Sequence, residues 1–64
     1  MMYEMKREEY KKHTIIISED DYGDVQWEIY KGKKFIKMDS GHSDWDMAED
    51  AAKERIDKIA RKKA

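Results

Sequence analysis

The 64-residue sequence predicts an α+β fold in which a three-stranded antiparallel meander packs on one C-terminal helix. Two observations predict the strands: apolar and polar residues alternate from Val25 to Tyr30, and three consecutive isoleucines follow Thr14. A third observation predicts the helix, because the apolar residues from Trp45 onward recur at helical spacing. We therefore predict a single βββα domain over residues 13–64.

The first predicted strand covers residues 13–18, where β-branched side chains favour an extended backbone. Ile15 and Ile17 share one face of this strand, and Ile16 lies on the other. The preceding residues 1–12 contain good helix formers and no helix breaker. We interpret them as a separate N-terminal segment that is either a short helix or a frayed end.

The second and third strands form a hairpin between Val25 and Met38. Lys31 and Gly32 are expected to make the turn, since glycine accepts the positive φ of a tight reversal. The alternation then assigns side chains to the two faces of the sheet. The residues expected to face the helix are Ile15, Ile17, Val25, Trp27, Ile29, Ile36 and Met38, and those expected to face away are Ile16, Tyr30 and Phe35.

The helix is predicted to begin near Asp44 or Asp46, either of which can cap its first turn. Asp46 and Glu49 also have the spacing of a capping box. The apolar stripe that should lie on the sheet consists of Trp45, Ala48, Ala52, Ile56 and Ile59.

Composition sets limits on the class of protein. The 14 basic and 15 acidic residues nearly cancel, so no uniform field draws the molecule to nucleic acid or to a membrane. There is no cysteine for a disulfide or a thiolate metal site, and no apolar run is long enough to span a membrane. Residues 1–5 lack the basic and apolar regions of a signal peptide, so we expect none. We expect a cytoplasmic protein.

Groups suited to catalysis are few. His13 begins a predicted strand and His42 lies in a loop, so nothing in the sequence places them together. His42, Asp44 and Asp46 have a spacing that could offer ligands to a divalent cation, but helix capping explains the same aspartates. We expect a protein that is not an enzyme, with no metal and no cofactor.

Charge is unevenly distributed along the chain, and this favours an interaction function. Acidic residues dominate the first loop, and an uncovered sheet face bearing apolar side chains next to charged residues is typical of a protein contact site. Our leading hypothesis is a small regulator or inhibitor, of the kind found in phages and mobile elements, that occludes a partner protein's surface. Its predicted contact residues are Ile16, Glu19, Asp20, Asp21, Asp24, Glu28, Tyr30 and Phe35.

Two alternatives use other surfaces. A nucleic-acid-binding module would use the lysine-rich hairpin formed by Lys31, Lys33, Lys34 and Lys37, with Tyr30 and Phe35 beside it. A homodimer would bury Ile16, Tyr30 and Phe35 between two copies of the chain.

The predicted order of three strands and a helix resembles, in outline, the AP2 and integrase N-terminal type of DNA-binding domain. The likeness rests on Trp27, the Lys31-Gly32 turn and the stretch 45–52. It implies a sheet whose strands read DNA bases with basic and polar side chains. The second strand of this chain carries Glu28 instead and follows an acidic loop, so we take only the topology from the resemblance.

Overall fold

The computed structural model describes residues 2–62, with side chains for residues 2–61. Residues 1, 63 and 64, which belong to the ends of the predicted segments 1–12 and 13–64, lie outside this range. The described residues form one antiparallel sheet in the order β1-β2-β3-β4, followed by helix α1. The α+β class is confirmed, but the prediction of three strands was wrong, because the described residues form four. The elements are β1 (Tyr3–Tyr10), β2 (His13–Glu19), β3 (Val25–Lys31), β4 (Lys34–His42) and α1 (Trp45–Lys62).

The prediction that residues 1–12 form a short helix or a frayed end was wrong, since residues 3–10 form the edge strand β1. Two features hid this strand in the sequence. Its helix-facing residues Lys6 and Glu8 pair with charged side chains of α1, so β1 lacks the apolar alternation of a half-buried strand. Its turn to β2 consists of Lys11 and Lys12, which adopt positive φ values of 48° and 67° without the glycine that usually marks such a turn.

The core lies between the sheet and one face of α1. Five of the seven residues predicted to face the helix are buried in it, and Ile36 packs at its margin. Small alanines on the helix allow a close approach to the sheet, and Ile56 fills the space beyond them. The buried apolar residues are Ile15, Ile17, Val25, Trp27, Ile29, Ala48, Ala52 and Ile56.

Met38, the seventh residue predicted to face the helix, was assigned to the wrong face because β4 contains a bulge. Tyr30 pairs with Phe35, yet Ile29 pairs with Lys37, so Ile36 is an extra residue that reverses the alternation after it. Met38 consequently opposes Glu28 on the uncovered face and is 44% exposed. The turn before β4 also differs from the prediction, since it consists of Gly32 and Lys33 rather than Lys31 and Gly32.

Both outer strands of the sheet are irregular. The pairing of β4 with β3 shifts a second time between Val25 and Trp27, and the pairing of β1 with β2 shifts at Met5. Three interruptions therefore lie on the two strands that have a neighbour on one side only.

Asp44 caps α1. Its side-chain Oδ1 accepts a hydrogen bond of 2.9 Å from the backbone N–H of Asp46, and its carbonyl accepts one of 3.1 Å from Ala48. The capping-box partner predicted for Asp46 has another role, since Glu49 binds Lys6 and Lys53. Within residues 2–62, α1 is too polar to cross a membrane, and no other helix is described.

Candidate interaction surfaces at the two charged ends

The meander and the helix together separate the charges of the protein along its length. Strands β1 and β3 run in one direction and β2 and β4 in the other, so the turns at 11–12 and 32–33 lie at one end of the molecule. The loop at 20–24 and the start of α1 lie at the opposite end. The molecule measures 39 × 21 × 15 Å, and the cross-strand row through Ile17 and Trp27 divides it into two halves.

The half containing the loop at 20–24 is acidic, and we call it the acidic end. Lys6 is its only cation among the described residues, and this lysine is paired with Glu49. Its acidic residues are Glu4, Glu19, Asp20, Asp21, Asp24, Asp39, Asp44, Asp46, Glu49 and Asp50.

The other half is basic, and we call it the basic end. Its anions are Glu8, Glu9, Glu28, Glu54 and Asp57, most of which are engaged with neighbouring side chains. Its cations with described side chains are Arg7, Lys11, Lys12, Lys31, Lys33, Lys34, Lys37, Lys53, Arg55, Lys58 and Arg61.

Exposed apolar side chains are concentrated at the acidic end. The indole of Trp45 is 42% exposed while its Nε1 donates a 2.7 Å hydrogen bond to Glu19. Glu19 is paired across the sheet with Tyr3, a second exposed aromatic residue. The exposed large apolar residues at this end are Met2, Tyr3, Met5, Tyr22, Trp45 and Met47, whereas the basic end exposes Phe35 and Met38.

The acidic loop holds Tyr22 away from the rest of the protein. One side-chain oxygen of Asp20 accepts hydrogen bonds of 2.9 Å from the backbone N–H groups of Tyr22 and Asp24. The backbone of Asp20 is also bonded to Asp24 and Gly23, and Gly23 has a φ of 85°. The loop is therefore well ordered by its own hydrogen bonds, yet Tyr22 at its tip is 91% exposed.

The predicted protein-contact residues do not form one surface. Ile16, Glu28, Tyr30 and Phe35 lie together on the uncovered face, where Tyr30 and Phe35 make an edge-to-face pair with ring centroids 5.6 Å apart. Glu19 is on the helix side of the sheet. The remaining three, Asp20, Asp21 and Asp24, belong to the loop of the acidic end.

Several polar side chains on the uncovered face have hydrogen-bond or ion-pair partners within the same chain. The Tyr30 hydroxyl donates to Glu28 at 2.9 Å, and this bond raises the pKa of Tyr30. Arg7 forms an ion pair of 2.9 Å with Glu4, and Thr14 donates to Glu9. A shallow cavity of about 400 Å³ on this face is lined by Arg7, Thr14, Ile16, Tyr30, Gly32 and Lys33.

The predicted basic and aromatic residues of the hairpin are also separated. Lys31 pairs with Lys34, and Lys37 pairs with Ile29, so all three lysines lie on the helix side of the sheet. Tyr30 and Phe35 point to the other face. Lys33 sits in the turn and lines the cavity of that other face. The structure thus places most of the hairpin lysines beside α1 rather than beside the aromatic pair.

A ladder of ion pairs joins β1 to one flank of α1. Lys53 lies between Glu8, at 2.8 Å, and Glu49, at 3.0 Å, and hydrogen bonds to both carboxylates raise the pKa of Lys53. The bond from Lys6, and then that from Lys53, lowers the pKa of Glu49.

The ladder continues at the C-terminal end of β1. Asp57 accepts a hydrogen bond of 2.6 Å from Lys11 and one of 3.0 Å from the Tyr10 hydroxyl. Both bonds lower the pKa of Asp57. Every helix-facing side chain from Lys6 to Tyr10 therefore has a polar partner on α1.

The histidines lie apart from each other. His13 is buried at the start of β2, where its Nδ1 is 2.9 Å from the carbonyl oxygen of Lys11. His42 ends β4, and Asp44 is engaged in capping α1. Among the described residues, no three histidine or carboxylate side chains are grouped so as to hold a metal ion.

Sequence reasoning missed the aromatic residues of the acidic end. Trp45 was assigned to the helix stripe that lies on the sheet, and Tyr22 was not singled out within the acidic first loop. One signal was available for Tyr22, since a large aromatic residue inside the sequence EDDYGD is unusual for a solvated acidic loop. Comparisons with protein-family models, with curated proteins and with solved structures gave no match.

Proposed function

We propose that this protein is a binding module that docks through its acidic end on a basic surface of a partner protein and occludes that surface. The observation that carries the proposal is Tyr22, a fully exposed aromatic residue on a loop that its own hydrogen bonds hold in place. Tyrosine and tryptophan dominate the energetics of protein interfaces because they bury large areas with few rotatable bonds.

Order in the free protein supports this role. A side chain or loop that must be immobilised on binding weakens the affinity, and preorganisation avoids this loss. Asp20 fixes the loop below Tyr22, and Glu19 fixes the indole of Trp45. The indole of Trp45 and the backbone that carries Tyr22 are therefore ordered before any partner arrives.

The surrounding charge specifies the kind of partner. Carboxylates next to exposed aromatic residues favour a partner rich in lysine and arginine, and the complementary potentials accelerate encounter. Asp24 and Asp50 are exposed and form no ion pair within residues 2–62, so their charges are available to such a surface.

The test immobilises wild type, Tyr22→Ser and the matched control Phe35→Ser, and exposes each of them to a lysate of the host cell. The proteins that each variant captures are compared by quantitative mass spectrometry. Phe35 is half exposed at the opposite end, so its replacement removes an aromatic residue without touching the acidic end. We expect a basic protein to be retained by wild type and Phe35→Ser and lost by Tyr22→Ser. Equal capture by wild type and Tyr22→Ser would contradict the proposal.

A second comparison addresses the charges. Asp24→Asn combined with Asp50→Asn should lower the salt concentration at which the captured partner elutes, because two attractive charges have been removed. Glu54→Gln is the control, since Glu54 is exposed on α1 but lies in the basic half. If Glu54→Gln lowers the salt concentration for elution as much as the double variant does, the effect comes from net charge rather than from the acidic end.

A further inference from the structure

The two flanks of α1 differ in how their charges are compensated. On the flank facing β1, Glu49, Lys53 and Asp57 all form ion pairs. The opposite flank, which faces β4, carries Arg55 and Lys58. Within residues 2–62 these two cations form no ion pair with any side chain.

A cavity of about 420 Å³ lies along this second flank. It is lined by three cations and one partly buried apolar residue, namely Arg55, Lys58, Arg61 and Ile59. The register of the sheet adds Lys34 and Lys37 to the helix side of β4, the neighbouring edge strand. We call these five cations, three that line the cavity on α1 and two on the helix side of β4, the basic groove.

Concentrated like charge weakens the fold unless something offsets it, because neighbouring cations repel one another. Attraction to the C-terminal end of the helix dipole offsets only the charges in the last turn. Arg55 lies two turns before Lys62, and Lys34 and Lys37 are on a strand, so the dipole does not account for them.

We propose that the basic groove binds the phosphate backbone of a nucleic acid. Arg55 to Arg61 spans about 9 Å of helix at 1.5 Å per residue, and Lys34 to Lys37 spans about 10 Å of strand. Cations spread over this length match a row of phosphates rather than a single one. A lipid surface is a poorer match, because a membrane-binding face combines cations with several exposed apolar side chains. At the basic end the large exposed apolar side chains among the described residues are Phe35 and Met38, and both lie on the uncovered face of the sheet, opposite to the groove.

The groove lies at the opposite end of the molecule from Tyr22, so this inference does not depend on the function proposed for the acidic end. A partner protein and a nucleic acid could be held at the same time, one at each end. The geometry would allow the protein to bridge a basic nucleic-acid-binding partner and the nucleic acid next to it.

The test is fluorescence anisotropy of a labelled single-stranded DNA oligonucleotide at low salt. The variant combines Arg55→Gln and Lys58→Gln, both exposed positions where the fold should be retained. We expect it to bind at least about tenfold more weakly than wild type. Its log–log salt slope should be smaller by about 1.4, since each neutralised phosphate contributes about 0.7 for a single strand.

The matched control combines Lys12→Gln and Lys33→Gln, which change the net charge equally at the same end but lie in the turns, outside the groove. We expect the control to bind within about threefold of wild type, and Tyr22→Ser to bind as wild type does. Equal losses for the two double variants would overturn the proposal, as would the absence of wild-type binding at low salt. Binding to phosphatidylserine vesicles but not to the oligonucleotide would assign the groove to lipid and also overturn it.

Discussion

Glu19 accepts a hydrogen bond of 2.7 Å from the indole Nε1 of Trp45, and this contact ties the end of β2 to the first turn of α1. A hydrogen bond to a charged acceptor contributes about 1.5 kcal/mol or more when shielded and less when partly exposed. We expect Glu19→Ala to lower the free energy of unfolding by about 1 kcal/mol, measured by urea denaturation.

Glu19→Gln is the matched control for this prediction, because its amide oxygen can still accept the indole hydrogen. It should stay within about 0.5 kcal/mol of wild type. The indole proton resonance of Trp45 should shift in Glu19→Ala and much less in Glu19→Gln. Equal destabilisation by the two variants would indicate that the contact does not stabilise the fold.

The carboxylates of the β1–α1 ladder predict how stability depends on pH. Hydrogen bonds from Lys6 and Lys53 hold the pKa of Glu49 below its ordinary 4.5, and those from Lys11 and Tyr10 hold the pKa of Asp57 below 3.8. The unfolded chain therefore binds more protons than the native protein in this range. The stabilisation is present above pH 4.5 and is lost as the pH falls through the lower, folded values.

We expect the urea midpoint to decrease steadily below about pH 4.5, and we expect Glu49→Gln to make this decrease shallower. The control is Glu54→Gln, which removes a carboxylate that has no ion pair within residues 2–62 and should leave the decrease as steep as in wild type. On the alkaline side, Lys53 contributes stability that is lost only as the pH rises above its ordinary 10.5 toward its raised folded pKa. If Glu49→Gln leaves the decrease of the urea midpoint at acidic pH unchanged, Glu49 is excluded as a source of this pH dependence.

The turn between β1 and β2 is strained by two lysines in the left-handed region. Left-handed backbone costs a residue with a side chain about 1 kcal/mol, whereas glycine adopts it freely. We predict that Lys12→Gly raises the free energy of unfolding by about 0.5–1 kcal/mol. Lys12 is the better position to change, because Lys11 is bonded to Asp57.

Lys33→Gly provides the comparison for the turn. Lys33 occupies a turn of the same length, but Gly32 supplies the positive φ there and Lys33 does not adopt one. A second glycine should lower stability, because it adds only freedom to the unfolded chain. Stabilisation of both variants to the same extent would show that the gain does not come from relief of backbone strain.

Ile15 and Ile16 are neighbours of the same type with opposite environments. Ile15 is completely buried under α1, and Ile16 is half buried on the uncovered face. We expect Ile15→Val to lower the unfolding free energy by about 1 kcal/mol and Ile16→Val by less than about 0.5 kcal/mol. Valine is chosen because the whole domain is expected to have only about 3–10 kcal/mol of stability. A larger loss at Ile16 would contradict the observed register of β2.

Much of the fold was predictable because the inner strands are apolar on one face. The alternation of Val25, Trp27 and Ile29 and the helical spacing of Ala48, Ala52 and Ile56 identified the core correctly. Strand β1 was not predictable in the same way, because its contact with the helix is made by charged side chains. The pattern of a half-buried strand cannot reveal an edge strand that is stabilised by ion pairs.

The two charged ends could be predicted from the sequence, although the exposed aromatic residues of the acidic end could not. An acidic first loop and a lysine-rich hairpin on an antiparallel meander must lie at opposite ends of the sheet. The bulge at Ile36 has no such signature in the sequence, and it decides the face of Met38. The indole of Trp45 is bonded to Glu19, a residue 26 positions away, and local sequence patterns do not contain that information.

The irregular pairing at Met5 and along β4 bears on the solubility of the free chain. A flat border of an open sheet can recruit another copy and grow into fibrils, which is a hazard for a protein this small and this exposed. Here each border is kinked, so its free backbone groups are out of line with those of an incoming strand. We therefore expect these bulges to oppose edge-to-edge pairing between copies of the chain, although both borders of the sheet are open.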